Sequence, residues 1–236
     1  MSIALSLHLG LNEVSPVYYG SDCKLNGCIN DANSMSALVS KLGYKSMVLT
    51  NQQATKAAVT NQINAIAKQL NAGDIFLLTY SGHGSQVLDT NNDESDGLDE
   101  TWCLFDGELV DDELYKLWSR FRAGVRLVVV SDSCHSGTVA KGGQNKIEEI
   151  IGKDIDCVAS GILLSGCRDS QVSYDTAKNG LFTSALLQVW NDGKFVGSYS
   201  KFLKEIAAKL VKVQSPNYFT FGAKNMKFYR QKPFTV

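Results

Sequence analysis

Three shortages narrow the reading of this chain before any motif does. No apolar run approaches the ~20 residues that a membrane-crossing helix needs. The first residues, Met1 to Gly10, carry no basic lead and are interrupted by Ser6 and His8. They read as a first strand and not as a secretory signal, so no membrane partner is expected. No two of the six cysteines stand in a CxxC spacing, and most sit beside apolar residues. That argues against a disulfide framework and for reduced thiols, with a cytoplasmic location expected. Prolines number three, and there is neither a Pro-rich or Gly/Ser linker nor an internal repeat. Nothing therefore marks a domain boundary.

What remains suits a globular protein. The 236 residues fit one large α/β domain or two small ones and can bury a full core without disulfides or metals. The net charge of −1 hides an asymmetry. From Asp89 to Glu113 there are eleven acidic residues and no Lys or Arg, which leaves the rest of the chain at +10. From Lys194 onward nine basic residues accompany one acidic residue, Glu205. This basic tail reads as a solvated helix face. Nucleic-acid binding is not expected, because no motif accompanies the charge.

Apolar runs alternate with helix-period segments, the pattern of a mostly parallel sheet flanked by helices. Strands are predicted at Ile3–Gly10, Ser46–Leu49, Ile75–Tyr80, Leu127–Ser131 and Gly161–Ser165, with a further candidate at Tyr218–Phe221. A first helix is predicted from a cap at Asn30 or Asp31, with Met35, Leu38, Val39 and Leu42 on one face. A second runs from about Ala54 to Leu70. Later helices are predicted at Asp112–Phe121, Leu181–Trp190 and Ser200–Val211, and a short antiparallel element at Trp102–Leu109. Asp89–Glu100 and Ala140–Cys157 read as loops.

Two of the predicted strands share one layout. Leu77 to Tyr80 leads into Ser81-Gly82-His83-Gly84, and Val128 to Val130 leads into Ser131-Asp132-Ser133-Cys134-His135-Ser136-Gly137. In a parallel sheet ligands bind outside the carboxyl ends of the strands. Each segment thus delivers one reactive side chain, an imidazole or a thiol, to that rim. The tail Ser165-Gly166-Cys167-Arg168-Asp169 belongs to the same edge. There Cys134 can attack a carbonyl as thiolate, while His83 takes and returns the proton. The backbone N–H groups of Gly84 and Cys134 can face the developing oxyanion. A lone cysteine after a strand is more often a packing thiol, and a lone histidine a satisfied turn; it is the pair that points to catalysis. Cys23, Cys103, Cys157 and Cys167 read as packing or neutral, and His8 as a strand histidine. His135 points away from the nucleophile if the chain stays extended.

These two segments resemble the catalytic motifs of metacaspases, relatives of the caspases. Their separation, from His83 to Cys134, matches the caspase interval of ~50 residues. Leu25 to Ala32 is similar to the family's segment before its first helix, and Ser165 to Ser173 to its later strand-end motif. The resemblance runs from about residue 3 to 190. It implies a caspase-like α/β/α sandwich with a mostly parallel central sheet, as a single peptidase domain over 1–236. Within it, 1–139 corresponds to the large-subunit part, 140–157 to a candidate processing loop and 158–236 to the small-subunit part. The activity implied is peptide hydrolysis by a Cys–His dyad, with protein or peptide partners as substrates.

The resemblance also implies a specificity. Caspases that cut after Asp bind that side chain with arginines. Here the matching positions are acidic, Asp31 and Asp132, and with Cys28 and Ser81 they correspond to a metacaspase pocket for Arg or Lys. The bland alternative is that Asp31 caps a helix and Asp132 orders a loop. Many metacaspases bind calcium through acidic residues equivalent to Asp99, Asp111 and Asp112, so calcium is an expected activator, although none is needed for the chemistry. Lys141 stands where the family has a further aspartate, which weakens that expectation. Asp89 to Glu100 superficially follows EF-hand spacing, but Glu94 occupies the glycine position and the reading is rejected. Lys141, Lys146 and Lys153 are candidate self-cleavage sites, as in a zymogen. The alternatives are a caspase-like protease with another preference, such as Asp, and a pseudoprotease acting as a binding or signalling module.

Overall fold

The strands, in chain order, are β1 (Ala4–Gly10), β2 (Lys45–Thr50), β3 (Ile75–Gly82), β4 (Gly84–Leu88), β5 (Leu98–Leu104), β6 (Gly107–Val110), β7 (Arg126–Ser133), β8 (Ser160–Cys167) and β9 (Asn217–Gly222). The helices are α1 (Pro16–Tyr19), α2 (Cys28–Ser40), α3 (Lys56–Gln69), α4 (Asp111–Trp118), α5 (Leu181–Trp190), α6 (Tyr199–Lys209) and α7 (Met226–Arg230). This computed structural model describes residues 2–88, 98–133, 157–167, 179–210 and 216–236.

Six strands form the main sheet in the order β2-β1-β3-β7-β8-β9. All its pairings are parallel except β8 with β9. The expected α/β architecture is thus present, and the uncertain strand near Tyr218–Phe221 is the antiparallel edge. The central strands β1 and β3 are buried along their whole length, as strands covered on both faces must be.

The period-2 alternation of side chains splits the core into two layers. On one face Leu7, Leu9, Phe76, Leu78, Leu127 and Val129 pack against Val59 and Ile63 of α3 and Leu114 and Leu117 of α4. On the other, Leu77, Val128, Val130, Ile162 and Leu164 pack against Met35 and Val39 of α2, Phe182 and Leu186 of α5 and Phe202 of α6. The basic tail is a solvated face here: Lys201, Lys204 and Lys209 of α6 are exposed, opposite buried Phe202 and Ile206. Among the described residues no helix is long and apolar enough to cross a membrane.

Several expectations need correction. Helix α2 starts at Cys28, and neither Asn30 nor Asp31 caps it; the cap position is Gly27, without a side-chain bond. The cap comes from outside the helix, because Asn12 Oδ1 accepts from the Ile29 N–H at 3.1 Å. Helix α3 starts at Lys56, capped by Thr55, which accepts from the Ala58 N–H. Helix α4 ends at Trp118, short of Phe121. Strands β3, β7 and β8 extend two or more residues beyond their apolar runs, to Gly82, Ser133 and Cys167. A sheet ladder is made by the main chain, so it continues into small polar residues where the edge is covered.

The antiparallel element near Trp102–Leu109 is real but larger. It is a second sheet of order β4-β5-β6. Strand β5 takes Leu98–Glu100 from the stretch expected to be a loop. The remainder of that stretch, and 140–156 of the other loop, lie outside the described residues.

Candidate active site

Parallel strands bring their carboxyl ends to one edge. Gly82, the last residue of β3, pairs with Ser133, the last residue of β7, and Ser133 pairs in turn with Cys167 of β8. The residues immediately preceding His83 and Cys134 are therefore neighbours in the sheet. Cys134 itself lies outside the described residues, as do His135, Lys141, Lys146 and Lys153.

His83 is half-buried, and its Nε2 stands 2.6 Å from the carbonyl oxygen of Cys23. A carbonyl only accepts, so Nε2 carries the ring proton and donates it. In the neutral imidazole Nδ1 is then the basic nitrogen. The main chain of His83 is held as firmly. Its carbonyl accepts from the Cys103 N–H at 3.0 Å and from the hydroxyl of Tyr80. That hydroxyl also lies 3.1 Å from the Cys103 carbonyl.

The Tyr80 ring stacks on Trp102 with centroids 4.6 Å apart, and the Trp102 indole N–H donates to Ser131 Oγ at 3.1 Å. Tyr80 curls back over Gly82, where a Cβ would stand 2.6 Å from its hydroxyl. Any side chain there would have to displace the Tyr80 ring end. His83 bonds to Cys103, so antiparallel alternation turns the N–H of Gly84, opposite Trp102, away from β5. Gly84 lies against Ser133, the residue before Cys134.

The residues expected in the P1 pocket are buried. Asp31 and Asp132 are each 2% exposed, and Cys28 lies one turn before Asp31 on α2. Asp31 accepts from Ser81 Oγ at 2.7 Å, and from Asn179 Nδ2 and the Gly180 N–H at 2.9 Å each. Asp132 accepts from the N–H and hydroxyl of Thr183, at 3.4 and 3.3 Å. Burial, with the adjacent charge of Asp132, pushes the Asp31 carboxyl up to about 7, against the opposing pull of its hydrogen bonds. The bland alternative for Asp31 is half correct. It does cap a helix, but that helix is α5 and not its own.

Other cysteines fit their expected roles. Cys103 and Cys157 are buried, and burial pushes both thiols up, Cys103 to about 11, which makes them poor nucleophiles. Cys23 is exposed and contributes its carbonyl, not its thiol. His8 is a strand histidine held by Thr79 and Ser6, and burial lowers it to about 3.

The three acidic residues expected to bind calcium belong to neighbouring elements. Asp99 is buried on β5, and Asp111 and Asp112 begin α4, beside the Thr101–Val110 pair. Asp111 accepts from the Asp112 N–H, and Asp112 pairs with Lys116 at 3.8 Å. Among the described residues no group of three or more His, Cys, Asp or Glu is arranged to hold a metal ion.

Sequence reasoning missed Tyr80 as a support, the Cys23 carbonyl, Asn179 and Thr183. Tyr80 stood inside the histidine motif and was the one with a signal. A main-chain carbonyl has none, and Asn179 and Thr183 gain meaning only from the approach of α5 to α2 and β7.

A mostly parallel sheet between helix layers, with histidine- and cysteine-bearing segments after adjacent strands and a buried carboxylate pair beside them, defines the caspase-like class. The chain belongs to the metacaspase family: the family described as metacaspase, peptidase C14 domain, matches residues 12–141. Metacaspase-1A of Neurospora crassa is 38% identical over 149 residues, which cover 57% of this chain and 32% of that protein. Metacaspase-1 of Mycosarcoma maydis is 29% identical over 244 residues, covering 76% of this chain and 60% of that one. The chain thus spans about a third of the length of the Neurospora relative. A crystal structure of protein GSU0716 from Geobacter sulfurreducens shares 46% identity and a TM-score of 0.85, and 99% of each chain is covered.

Proposed function

We propose that this protein is a cysteine endopeptidase that hydrolyses peptide bonds after Arg or Lys, with Cys134 as nucleophile and His83 as base and acid. The observation that carries the reading is the Gly82–Ser133 pairing, which sets the strand ends before the two residues side by side. His83 Nδ1 takes the thiol proton, and the Cys134 sulfur bonds to the substrate carbonyl carbon. The oxyanion forms near the N–H groups of Gly84 and Cys134. Collapse breaks the C–N bond, and the imidazolium proton leaves with the amine. Water, deprotonated by His83, then cleaves the thioester and restores the thiol.

A cationic P1 residue is supported by the carboxylates of Asp31 and Asp132, with Ser81 and Cys28 beside them. Two buried carboxylates are costly together, and a cation relieves that cost. An aspartate in the same place would add a third negative charge.

Calcium enters the proposal as an activator acting through the small sheet. Carboxylates are the hard oxygen ligands it takes, and Asp99, Asp111 and Asp112 offer them. The described residues form no complete ligand set, so no step of the hydrolysis is routed through the ion. Self-cleavage at Lys141, Lys146 or Lys153 is part of the same reading. So is a reducing compartment such as the cytoplasm, in keeping with the free thiols of Cys23, Cys28, Cys103 and Cys157.

The test is hydrolysis of matched fluorogenic peptides ending in Arg, Lys or Asp, with calcium or chelator, by wild type, Cys134→Ala and His83→Ala. Cleavage after Arg and Lys, lost in both variants, is expected. Cleavage after Asp would overturn the pocket assignment. Activity surviving in Cys134→Ala would overturn the mechanism, and silence of the wild type in every condition would favour a binding module.

A further inference from the structure

The carboxylates of the proposed P1 pocket come from the first part of the chain, yet all but Ser81 of the named donors that orient them come from the last. Asp31 lies on α2 and Asp132 on β7. Their partners Asn179, Gly180 and Thr183 form the entry and first turn of α5. Asn179 Nδ2 spans two groups of α2, reaching Asp31 Oδ1 at 2.9 Å and Ser34 Oγ at 3.1 Å.

The Gly180 N–H, at the cap position of α5, donates to the same Asp31 oxygen. Thr183 meets Asp132 with both its main-chain and side-chain donors. The two chain segments touch closely. A Cβ at Gly27, the cap position of α2, would lie 2.9 Å from the Gly180 nitrogen, so glycine is what lets α5 enter here.

We propose that the entry of α5, through Asn179 and Thr183, is a specificity frame that fixes the orientation of Asp31 and Asp132 and so favours arginine over lysine. The inference rests on the Arg/Lys reading of the pocket above. Guanidinium is a planar fork that requires carboxylate oxygens in set directions, whereas ammonium is a point charge that tolerates rotation. Each carboxylate here is prevented from rotating by donors on one oxygen: two on Asp31 Oδ1 and two on Asp132 Oδ2, with Ser81 holding Asp31 Oδ2 as well. The donors also belong to the positive end of a helix of 10 residues, which favours the ionised form. Asn179 and Thr183 are therefore positioning residues and touch no reacting atom.

The experiment compares kcat and KM for matched Arg and Lys peptides in wild type, Asn179→Ala, Thr183→Val and Thr183→Ser, each checked for an intact melting transition. Loss of one hydrogen bond to a charged group should raise KM for the Arg peptide roughly tenfold in Asn179→Ala and Thr183→Val, with kcat little changed. KM for the Lys peptide should rise about threefold or less, so the Arg/Lys ratio falls, and Thr183→Ser should restore it. An equal loss on both peptides, or a Thr183→Ser variant as poor as Thr183→Val, would overturn the frame.

A second measurement does not depend on turnover: the ionisation of Asp31 followed by carboxyl carbon NMR. In Asn179→Ala the midpoint should move up by about one pH unit, because a donor favouring the anion is gone. An unmoved midpoint overturns the frame whatever the peptides show. A moved midpoint in a protein that cuts neither peptide would show that Asn179 orients Asp31 but would remove the Arg/Lys reading and, with it, the arginine preference.

Discussion

His83 is held at both ends. The Cys23 carbonyl fixes which ring nitrogen carries the proton, and the Tyr80 hydroxyl and the Cys103 N–H fix the main chain. Removing the hydroxyl in Tyr80→Phe leaves the ring stack on Trp102 in place but frees one of the two bonds to the His83 carbonyl. Stability should fall by about 1 kcal/mol. The proposed peptidase activity should fall more, roughly tenfold in kcat, because small misplacements of a catalytic group are amplified in rate. Equal melting and equal kcat in the variant would show that the Cys103 N–H suffices alone. Asp31 makes a prediction of opposite character. Its carboxyl is raised in the folded state to about 7, so between about 4 and 7 the folded protein holds more protons than the unfolded chain. Its contribution to stability is present at the acidic end of that window and is lost as pH rises through it. His8, lowered to about 3, works the other way: its penalty grows as pH falls below about 6.5. In Asp31→Asn the decline in melting temperature from pH 5 to 8 should therefore be shallower than in wild type. An unchanged slope would mean that Asp31 is ionised throughout.

At the scale of elements, α5 carries two duties. Its first turn meets the carboxylates of Asp31 and Asp132, and its apolar side anchors it to the sheet. Phe182 is fully buried, and it fills the space that Gly166 of β8 leaves, where a Cβ would lie 2.9 Å from the ring. Phe182→Ala should cost about 3–5 kcal/mol, measurable as the shift of a denaturant midpoint. A loss below about 1 kcal/mol would mean that α5 is not anchored there. How far the elements were legible follows from how each is made. The buried strands were, because an apolar run such as Val128–Val130 is dictated by burial on both faces. Helix α5 was read to the residue, since its apolar spacing is bounded by Gly180 and Asn191. What the sequence did not reveal is set by partners distant along the chain. The start of α2 depends on Asn12, and β4 is a strand only because β5 lies beside it. The polar ends of β3 and β7 are strand because they pair with each other and with β1 and β8 on their outer sides.

For the whole molecule, the candidate site was legible in its chemistry and not in its supports. His83 was named from residue type and position, and Asp31, Ser81 and Asp132 from the family resemblance; Asp31 bonds Ser81, which pairs with Asp132 at one edge of the sheet. Asn179 and Thr183 were invisible because their importance arises from a long-range contact that no local pattern encodes. The pairing of β7 with β8 leads to a prediction about processing. The parts before and after the proposed cleavage region are joined in mid-sheet by eight register pairs between β7 and β8, from Arg126–Ser160 to Ser133–Cys167. If the chain is cut at Lys141, Lys146 or Lys153, the fragments should co-elute in size-exclusion chromatography and separate only in denaturant. Separation in plain buffer would show that the intact loop is needed to hold the sheet together.

The carbonyl of His83 is where the large sheet and the small sheet meet, since it accepts from Tyr80 of one and Cys103 of the other. The imidazole is thus suspended from two bodies, like a needle pivoted between two plates. The small sheet is itself packed into the core through Trp102, Cys103, Leu104 and Leu109, so its placement and the aim of the ring are set together. Anything that binds the small sheet should therefore register in the proposed turnover as well as in the rise of melting temperature that binding to the folded state brings, and the two read together would reveal such a ligand.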